Sequence, residues 1–163
     1  NIHNKGFTVL VGDANGVDAL IQKYYSNLNY KNVIVFAGKG IARNNIGNWT
    51  IENVPVDKKA KGFDFYAQKD IAMAKNADYG FMIWNGKSRG TLNNIINLIS
   101  ENKKALIYLI PHDMFITVNS KAELEYLISM CPVGTKEIYS KLINNAPLEK
   151  QASFLNESPS KFL

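Results

Sequence analysis

Cysteine, histidine and long apolar runs are all scarce in this chain of 163 residues. The single cysteine, Cys131, excludes an internal disulfide, and one thiol with two histidines argues against a structural zinc site. No apolar run approaches the roughly 20 residues that a helix needs to cross a bilayer, so we expect no membrane partner. We therefore expect a protein of the reducing cytoplasm that holds neither a metal nor a cofactor.

Clustered positive charge is also missing, although the formal net charge is +5. The lysines are scattered, without a long run of cations and without a basic stripe interleaved with aromatic residues. A mildly basic surface favours anionic ligands, nucleotides included. It does not by itself indicate a nucleic-acid-binding protein, which stays a minor alternative.

The sequence does contain enough apolar residues for one domain with a sizeable core, since 46% of residues are hydrophobic and 20% are charged. Strand-length apolar runs alternate with amphipathic helices from Thr8 to Ile110. Strands are predicted at 8–11, 32–37, 79–84 and 105–110, and helices at 17–25, 63–76 and 91–100. This alternation predicts an α/β fold with a mostly parallel sheet and helices on both faces.

Residues 41–61 show no sustained periodicity and are interpreted as a long loop. Long connections inside compact domains tend to be binding loops or lids. Arg43 could pair with a phosphate, and Trp49 could stack on a base. Anchoring of the loop to the body of the domain is the alternative for both residues.

A polar loop with two glycines, two cations and two hydroxyls joins the predicted strand 79–84 to its helix. Its residues are all candidate ligand contacts: Asn85, Gly86, Lys87, Ser88, Arg89, Gly90 and Thr91. At such a junction, free backbone N–H groups and the positive end of the helix dipole face the same point, which favours a phosphate. An ordinary strand-to-helix connection with solvated charges is the alternative.

A second glycine loop follows the first predicted strand and has the same strand–loop–helix order. Its candidate ligand-binding residues are Gly12, Asp13, Ala14, Gly16 and Asp18. Asp13 is placed to accept a hydrogen bond from a ribose hydroxyl, and the charge of Asp18 complements the helix dipole. The alternative for Asp13 is an aspartate of an ordinary turn, and the alternative for Asp18 is an aspartate that only caps the helix. We expect both loops at one edge of a single sheet, where they would hold a phosphorylated ligand together.

The signals change beyond Pro111. A short strand is predicted at 114–119, and Ser120 with Glu123 forms a capping-box signature for a helix that ends near residue 130. A further helix is predicted at 136–144, followed by a short helix and a loose tail at 146–163. We assign residues 1–111 to the core and 112–163 to a C-terminal helical extension packed on it.

The successive motifs resemble those of the SLOG superfamily. They are Gly12–Asp18, Lys69-Asp70 with Met73, Ala77-Asp78, and Gly86 with Arg89-Gly90-Thr91. Over about residues 7–110 they are most similar to uncharacterised bacterial and phage proteins of the DUF2493 type. The resemblance implies a Rossmann-like three-layer sandwich that binds a nucleotide or nucleotide-derived ligand, with Lys69 among the contacts and the phosphate on the loop from Gly86 to Thr91. Related proteins often form homo-oligomers, so we expect one here.

Two departures from the family pattern bear on function. Such families begin with a further strand, a Gly-Ser-Arg loop and a helix, so the resemblance implies that this first unit and the central strand are missing. Related hydrolases and transferases carry a catalytic glutamate three residues after the threonine of the Gly-Thr loop. Here that position is Asn94, and an amide cannot act as a nucleophile or stabilise an oxocarbenium ion by its charge. Asp13, Asp70 or Asp78 could supply a substitute carboxylate, although the spacing does not demand it.

Three functions remain open at this point. The leading expectation is a sensor or sequestering module that binds a nucleotide or nucleotide-sugar. An N-glycosidic hydrolase or transferase acting on nucleoside phosphates is the alternative, with Asp70 and Asn94 as the catalytic candidates. A single-stranded DNA-binding protein resembling DNA-processing protein A is the second alternative.

Overall fold

The computed structural model of the protein describes residues 2–38, 41–57, 59 and 62–144. Strands and helices alternate along most of this chain, which confirms the predicted α/β fold of Rossmann-like character. The chain divides into two compact units, Asn1–Ala77 and Asp78–Leu163. The helix and tail predicted at 146–163 lie outside the described residues.

The first unit contains a parallel sheet of three strands in the order β1-β2-β3. The strands are β1 (Val9–Gly12), β2 (Val33–Gly38) and β3 (Thr50–Val54). Its helices are α1 (Val17–Asn27) and α2 (Gly62–Asn76), and a 3-10 turn spans His3–Lys5. Helix α1 packs on β1, and α2 packs on all three strands. The carboxyl ends of β1 and β2 lead into the two segments in which ligand contacts are predicted.

The prediction of a loop throughout residues 41–61 is wrong for Thr50–Val54, which forms β3. Four of the five residues of β3 are exposed, and among the described residues the strand pairs with β2 alone. An edge strand of this kind alternates polar and apolar residues and lacks the continuous apolar run of a strand covered on both faces. The apolar-run criterion therefore misses it.

The second unit contains a sheet of three strands in the order β4-β5-β6. The strands are β4 (Tyr79–Trp84), β5 (Lys104–Leu109) and β6 (Met114–Val118), with β4 parallel and β6 antiparallel to β5. The helices are α3 (Arg89–Ser100), α4 (Lys121–Ser129) and α5 (Val133–Asn144), and a 3-10 turn spans Ile110–His112. The predicted N-cap of α4 is confirmed, since the Ser120 hydroxyl accepts a hydrogen bond from the Glu123 N–H at 3.3 Å.

The described strands thus form two sheets, whereas the sequence predicts one mostly parallel sheet. The alternation of strands and helices indicates that successive strands run parallel, but it does not say which strands are neighbours. The unit boundary also lies after Ala77, and not after residue 111. Because β6 pairs with β5 from Met114 to Val118, the described residues beyond 111 complete the second unit.

No described helix combines the length and the apolar character that a membrane span requires.

Candidate functional site

Five charged side chains meet in the first unit where β1 ends, and we call them the charge cluster: Asp13, Asp18, Arg43, Lys69 and Asp70. Asp13 lies directly after β1 and is buried. Its Oδ1 accepts from Arg43 Nη2 at 2.8 Å and from Lys69 Nζ at 3.3 Å. Its Oδ2 accepts from the backbone N–H of Arg43 at 3.1 Å and from Nε at 3.2 Å. Both carboxylate oxygens are therefore engaged, and Asp13 positions two cations in the place where the sequence predicts a contact with ribose.

Lys69 is the most deeply enclosed cation of the charge cluster. Its side chain is 5% exposed, and Nζ lies 3.5 Å from Asp70 Oδ1 in addition to its contact with Asp13. A Cβ added at Gly12 would overlap Asp18 Oδ2 and lie 2.9 Å from Lys69 Nζ. A side chain at position 12 would thus displace the charged groups of Asp18 and Lys69.

Burial and the neighbouring positive charges shift the pKa values of the three carboxyl groups in opposite directions. Desolvation raises the pKa of Asp13, but hydrogen bonds from Arg43 and the charges of Lys69 and Arg43 outweigh it, so that the pKa falls to about 2. For Asp18 and Asp70 desolvation prevails, and the pKa of each is raised in spite of the charge of Lys69. Carboxyl groups with raised pKa beside a buried ammonium can exchange a proton with a bound molecule, and such groups are enriched at functional sites.

Arg43 is the accessible cation of the cluster. Its side chain is 40% exposed, and the guanidinium lies over the ring of Tyr66 at 4.5 Å from the ring centroid. Two contacts with Asp13 and one with Tyr66 hold it in a single orientation. An arginine fixed in this way can meet an anion without losing much side-chain freedom.

The rest of the first glycine loop is held by its own side chains. The Ala14 N–H donates to Asp18 Oδ2 at 3.2 Å, so Asp18 closes the loop at the start of α1. Gly16 precedes the helix with φ of 86°, a conformation that favours glycine. Asn44 Nδ2 donates to the Asp13 carbonyl at 2.9 Å and to Asn15 Oδ1 at 3.0 Å. The predicted residues of this loop therefore lie together with Arg43, Lys69 and Asp70.

Trp49 anchors its loop to the body of the domain, which is the alternative to stacking on a base. Its ring is 9% exposed and belongs to the hydrophobic core of the first unit with Val11, Tyr25 and Val35. The indole Nε1 donates to the Tyr30 carbonyl at 2.8 Å. A ring enclosed in this way offers no free face for a base, so we attribute Trp49 to packing.

The second predicted loop, Asn85–Thr91, lies at the junction of β4 and α3 in the second unit, and we call it the α3 loop. Asn85 Oδ1 accepts from the N–H groups of Lys87 at 2.9 Å and Ser88 at 3.0 Å. The Ser88 hydroxyl caps α3 and accepts from the Thr91 N–H at 3.4 Å. Three of the backbone donors are thus bound to side chains of the loop, in contrast to the predicted set of free N–H groups. The N–H of Gly90, in the first turn, has no helical acceptor.

A side chain of α5 supports the α3 loop from below. Gly86 has φ of 73°, and its carbonyl accepts a hydrogen bond from Thr135 Oγ1 at 2.5 Å in a buried position. A Cβ at Gly86 would also lie 3.4 Å from Cys131 and from Pro132. The exposed Lys87 and Arg89 follow on the other side of this anchor. The loop is therefore fixed on the protein side and charged on the solvent side.

Two amide atoms on α3 stand out among the described residues. Asn93 Nδ2 and Asn94 Oδ1 are buried and have no hydrogen-bond partner there. They lie one turn beyond Gly90, and side chains of a helix lean towards its N-terminus. A Cβ added at Gly90 would meet no atom within 4 Å, so there is open space beside that residue. Asn94, which the sequence placed among the candidate catalytic residues, is thus an unmatched acceptor.

Sequence reasoning missed two residues that hold these sites together. Gln22 is fully buried on α1, where Nε2 donates to the Gly12 carbonyl at 2.8 Å and Oε1 accepts from the Ile46 N–H at 3.0 Å. A glutamine among the apolar positions of a helix is a signal that could have found it. Thr135 gives no such signal, because its partner Gly86 lies far away in the sequence.

The predicted contacts fall into two sets, one in each unit. That both sets hold a single ligand stays a prediction. Among the described residues no group of His, Cys, Asp and Glu side chains has the arrangement of a metal site. Comparison of the chain with protein-family models, with curated proteins and with solved structures finds no match. The resemblance to the SLOG superfamily therefore stays a prediction as well.

Proposed function

We propose that the protein binds a nucleotide or nucleotide-derived ligand and acts as a sensor or sequestering module. The observation that carries this proposal is the pair of buried amide atoms, Asn93 Nδ2 and Asn94 Oδ1, without partners in the described part of the chain. A buried polar atom without a partner costs about 1–3 kcal/mol. Such atoms are rare in native proteins and suggest a group that is bound when the protein functions.

The surroundings of the two amides favour a ligand that combines an anion with hydroxyl groups. The Gly90 N–H and the positive end of the α3 dipole suit a phosphate, and Lys87 and Arg89 add positive charge. Asn94 Oδ1 can accept from a sugar hydroxyl, and Asn93 Nδ2 can donate to an oxygen or a ring nitrogen. A nucleotide carries all three kinds of group in one molecule.

Two further features support the same ligand class. Arg43 in the first unit is oriented by Asp13 and Tyr66 and remains 40% exposed, as a phosphate-binding arginine requires. The resemblance of the motifs to the SLOG superfamily implies a nucleotide-derived ligand as well, and we propose membership on that ground.

A thermal-shift screen tests the proposal. The panel contains mononucleotides, cyclic nucleotides, ADP-ribose, nucleosides and inorganic phosphate. A compound present at about 100 times its Kd should stabilise the protein by about 2.7 kcal/mol. If no nucleotide-derived compound raises the melting temperature, the proposal fails.

Two glycines in equivalent positions give a matched pair of variants for the binding site. Gly90 and Gly134 are the second residues of α3 and α5, and a Cβ at either would meet no atom within 4 Å. Substitution by alanine should raise the free energy of unfolding in both variants, by up to about 1 kcal/mol. Gly90→Ala fills the space proposed for the phosphate and should reduce the ligand-induced shift, whereas Gly134→Ala should leave it unchanged. Equal effects of the two variants on binding would contradict the proposed position.

The raised pKa values of Asp18 and Asp70 favour a second candidate, an enzyme that cleaves the N-glycosidic bond of a nucleoside phosphate. Its general acid or base would be Asp70, since Asn94 cannot serve as the carboxylate. Chromatography of a mononucleotide incubated with the protein would detect the released base. The Asp70→Asn variant should lose this release, and a protein that binds the nucleotide without any release would be assigned to the sensor class.

A further inference from the structure

One face of the sheet in the second unit stays exposed. Helix α3 packs on β4 and β5, and α4 packs on β6. The side chains of Ala105, Ile107 and Leu109 are buried. The residues that alternate with these point the other way, and many of them are apolar. We call this surface the open sheet face; it consists of Tyr79, Phe81, Leu106, Tyr108 and Phe115.

The strand register brings these side chains into one patch. Phe81 pairs with Leu106 across β4 and β5, and Tyr108 pairs with Phe115 across β5 and β6. The rings of Tyr108 and Phe115 lie 5.0 Å apart between centroids. Tyr79, Phe81 and Phe115 are 75%, 43% and 61% exposed, respectively. Three strands thus contribute to a continuous aromatic and aliphatic surface.

The composition of these strands is that of strands covered on both faces. The residues of β4 and most of β5 form continuous apolar runs, which are typical of a sheet buried on both sides. The edge strand β3 shows the contrast, because its exposed residues include Thr50, Glu52 and Asn53. The open sheet face is therefore built for contact with another surface.

We propose that the open sheet face packs against the same face of a second copy of this chain. The exposed apolar area of its aromatic and aliphatic side chains is roughly 500 Å², at the upper end of what a monomer leaves exposed. A stable interface buries roughly 800 Å² per partner, so the apolar patch would form its core and polar residues its margin. A two-fold axis lets one patch serve as both halves of the interface.

The charges at the two ends of the patch favour an antiparallel arrangement of the two copies. Lys104 lies at the amino end of β5, opposite Tyr79. Asp113 lies beyond the carboxyl end of β5, where its carboxylate accepts a hydrogen bond from the Tyr108 hydroxyl at 2.5 Å. A two-fold axis across the strands sets Lys104 of one copy against Asp113 of the partner subunit. Opposite charges then meet at both ends of the interface.

Other apolar surfaces fit a second copy less well. Helix α3 offers no apolar surface for a subunit contact, because Leu92, Ile95, Ile96 and Ile99 are all buried. Helix α1 exposes a single stripe, of which Leu20 at 66% is the most exposed member. That stripe belongs to one helix, whereas the open sheet face extends over three strands.

Sedimentation velocity of matched variants tests the proposal. The wild-type chain should be a dimer at micromolar concentration, and Phe81→Glu and Phe115→Glu should each raise the dimer dissociation constant at least about tenfold. Leu20→Glu changes an apolar side chain on α1 that is 66% exposed, close to the 61% of Phe115, and should leave the dissociation constant unaltered. Circular dichroism of each variant establishes that it is folded. A monomeric wild type at about 100 µM, or an equal loss of dimer in Leu20→Glu, would overturn the proposal.

A cross-linking experiment tests the two-fold arrangement directly. In a Cys131→Ser background, Leu106→Cys places a thiol near the centre of the open sheet face and should yield a disulfide-linked dimer on mild oxidation. Tyr126→Cys, which lies on α4 and is 63% exposed in the wild type, should not. Hydroxyl-radical footprinting completes the test. A monomer in which Tyr79 and Phe115 are protected would show that something other than a second copy covers the face, and would also overturn the proposal.

Discussion

The buried contact between Asp13 and Lys69 gives the sharpest prediction about stability. Asp13→Asn keeps the shape of the side chain but removes the charge that faces a lysine with a side chain only 5% exposed. The fall in the pKa of Asp13 from 3.8 to about 2 corresponds to about 2.4 kcal/mol of stabilisation. Removal of one partner from a buried ion pair typically costs about 3–5 kcal/mol. The cost should be lower here because Asp70 remains 3.5 Å from Lys69 Nζ and partly compensates its charge. We therefore expect a loss of about 2–3 kcal/mol in the free energy of unfolding at pH 7.

The pH dependence of this loss has a fixed sign. Because the folded pKa of Asp13 lies below the unfolded value, its contribution is complete above about pH 4. The contribution disappears as the pH falls towards 2, where the folded carboxyl takes up its proton. The difference between wild type and Asp13→Asn should therefore shrink over the same interval.

Urea unfolding followed by tryptophan fluorescence can measure the loss of stability in the first unit, which contains Asp13 and Lys69. Trp49 lies in the core of the first unit, and Trp84 is fully buried in the second. In a Trp84→Phe background, the signal reports the unfolding of the unit that contains the charge cluster. The control is a double-mutant cycle with Lys69→Met, in which the two losses of stability should be less than additive because both variants break the same contact. A loss below about 1 kcal/mol in Asp13→Asn, or fully additive losses in the double variant, would refute the reasoning.

Three further predictions concern stability. Asp18→Asn keeps the acceptor for the Ala14 N–H and removes a carboxylate whose pKa is raised by burial, so it should raise the free energy of unfolding at pH 7 by up to roughly 1 kcal/mol, and this gain should shrink as the pH falls. Gly80→Ala should cost about 1–3 kcal/mol in urea unfolding followed by Trp84, because the added Cβ would overlap Cδ1 of Leu98; an unchanged midpoint would contradict the close packing of α3 on β4. Ser120→Ala should cost about 1 kcal/mol in the same assay through loss of the N-cap of α4, and Ser120→Asp should restore it.

The sequence predicts the elements of this fold unevenly, for physical reasons. The strands β1, β2, β4 and β5 consist largely of continuous apolar runs, and each is found within a residue or so of its predicted position. The edge strand β3 has no such run and was missed. The division after Ala77 is not visible either, because no linker rich in Gly, Pro or Ser separates α2 from β4.

The residues of the candidate site are predicted well where local sequence determines them and poorly where contacts between distant residues do. Glycine loops at strand ends are local patterns, and the structure does place the residues of each loop at the start of a helix. The pairing of Asp13 with Lys69 joins residues 56 positions apart, so the sequence could offer Lys69 as a candidate contact but not its burial. The hydrogen bonds inside the α3 loop were also missed, since Asn85 and Ser88 were read as possible ligand contacts and not as acceptors for their own backbone.

The hydrogen bond from Thr135 to the Gly86 carbonyl makes α5 a structural part of a loop 49 residues earlier in the chain. A shortened protein that ends before α5 would retain every residue of Asn85–Thr91 and still lack the donor on which that turn rests. Thr135→Val would remove the same hydrogen bond by replacing only the hydroxyl group of Thr135 with a methyl group. Any trimming of this chain for crystallisation or for fusion to another protein should therefore leave residues 133–144 in place.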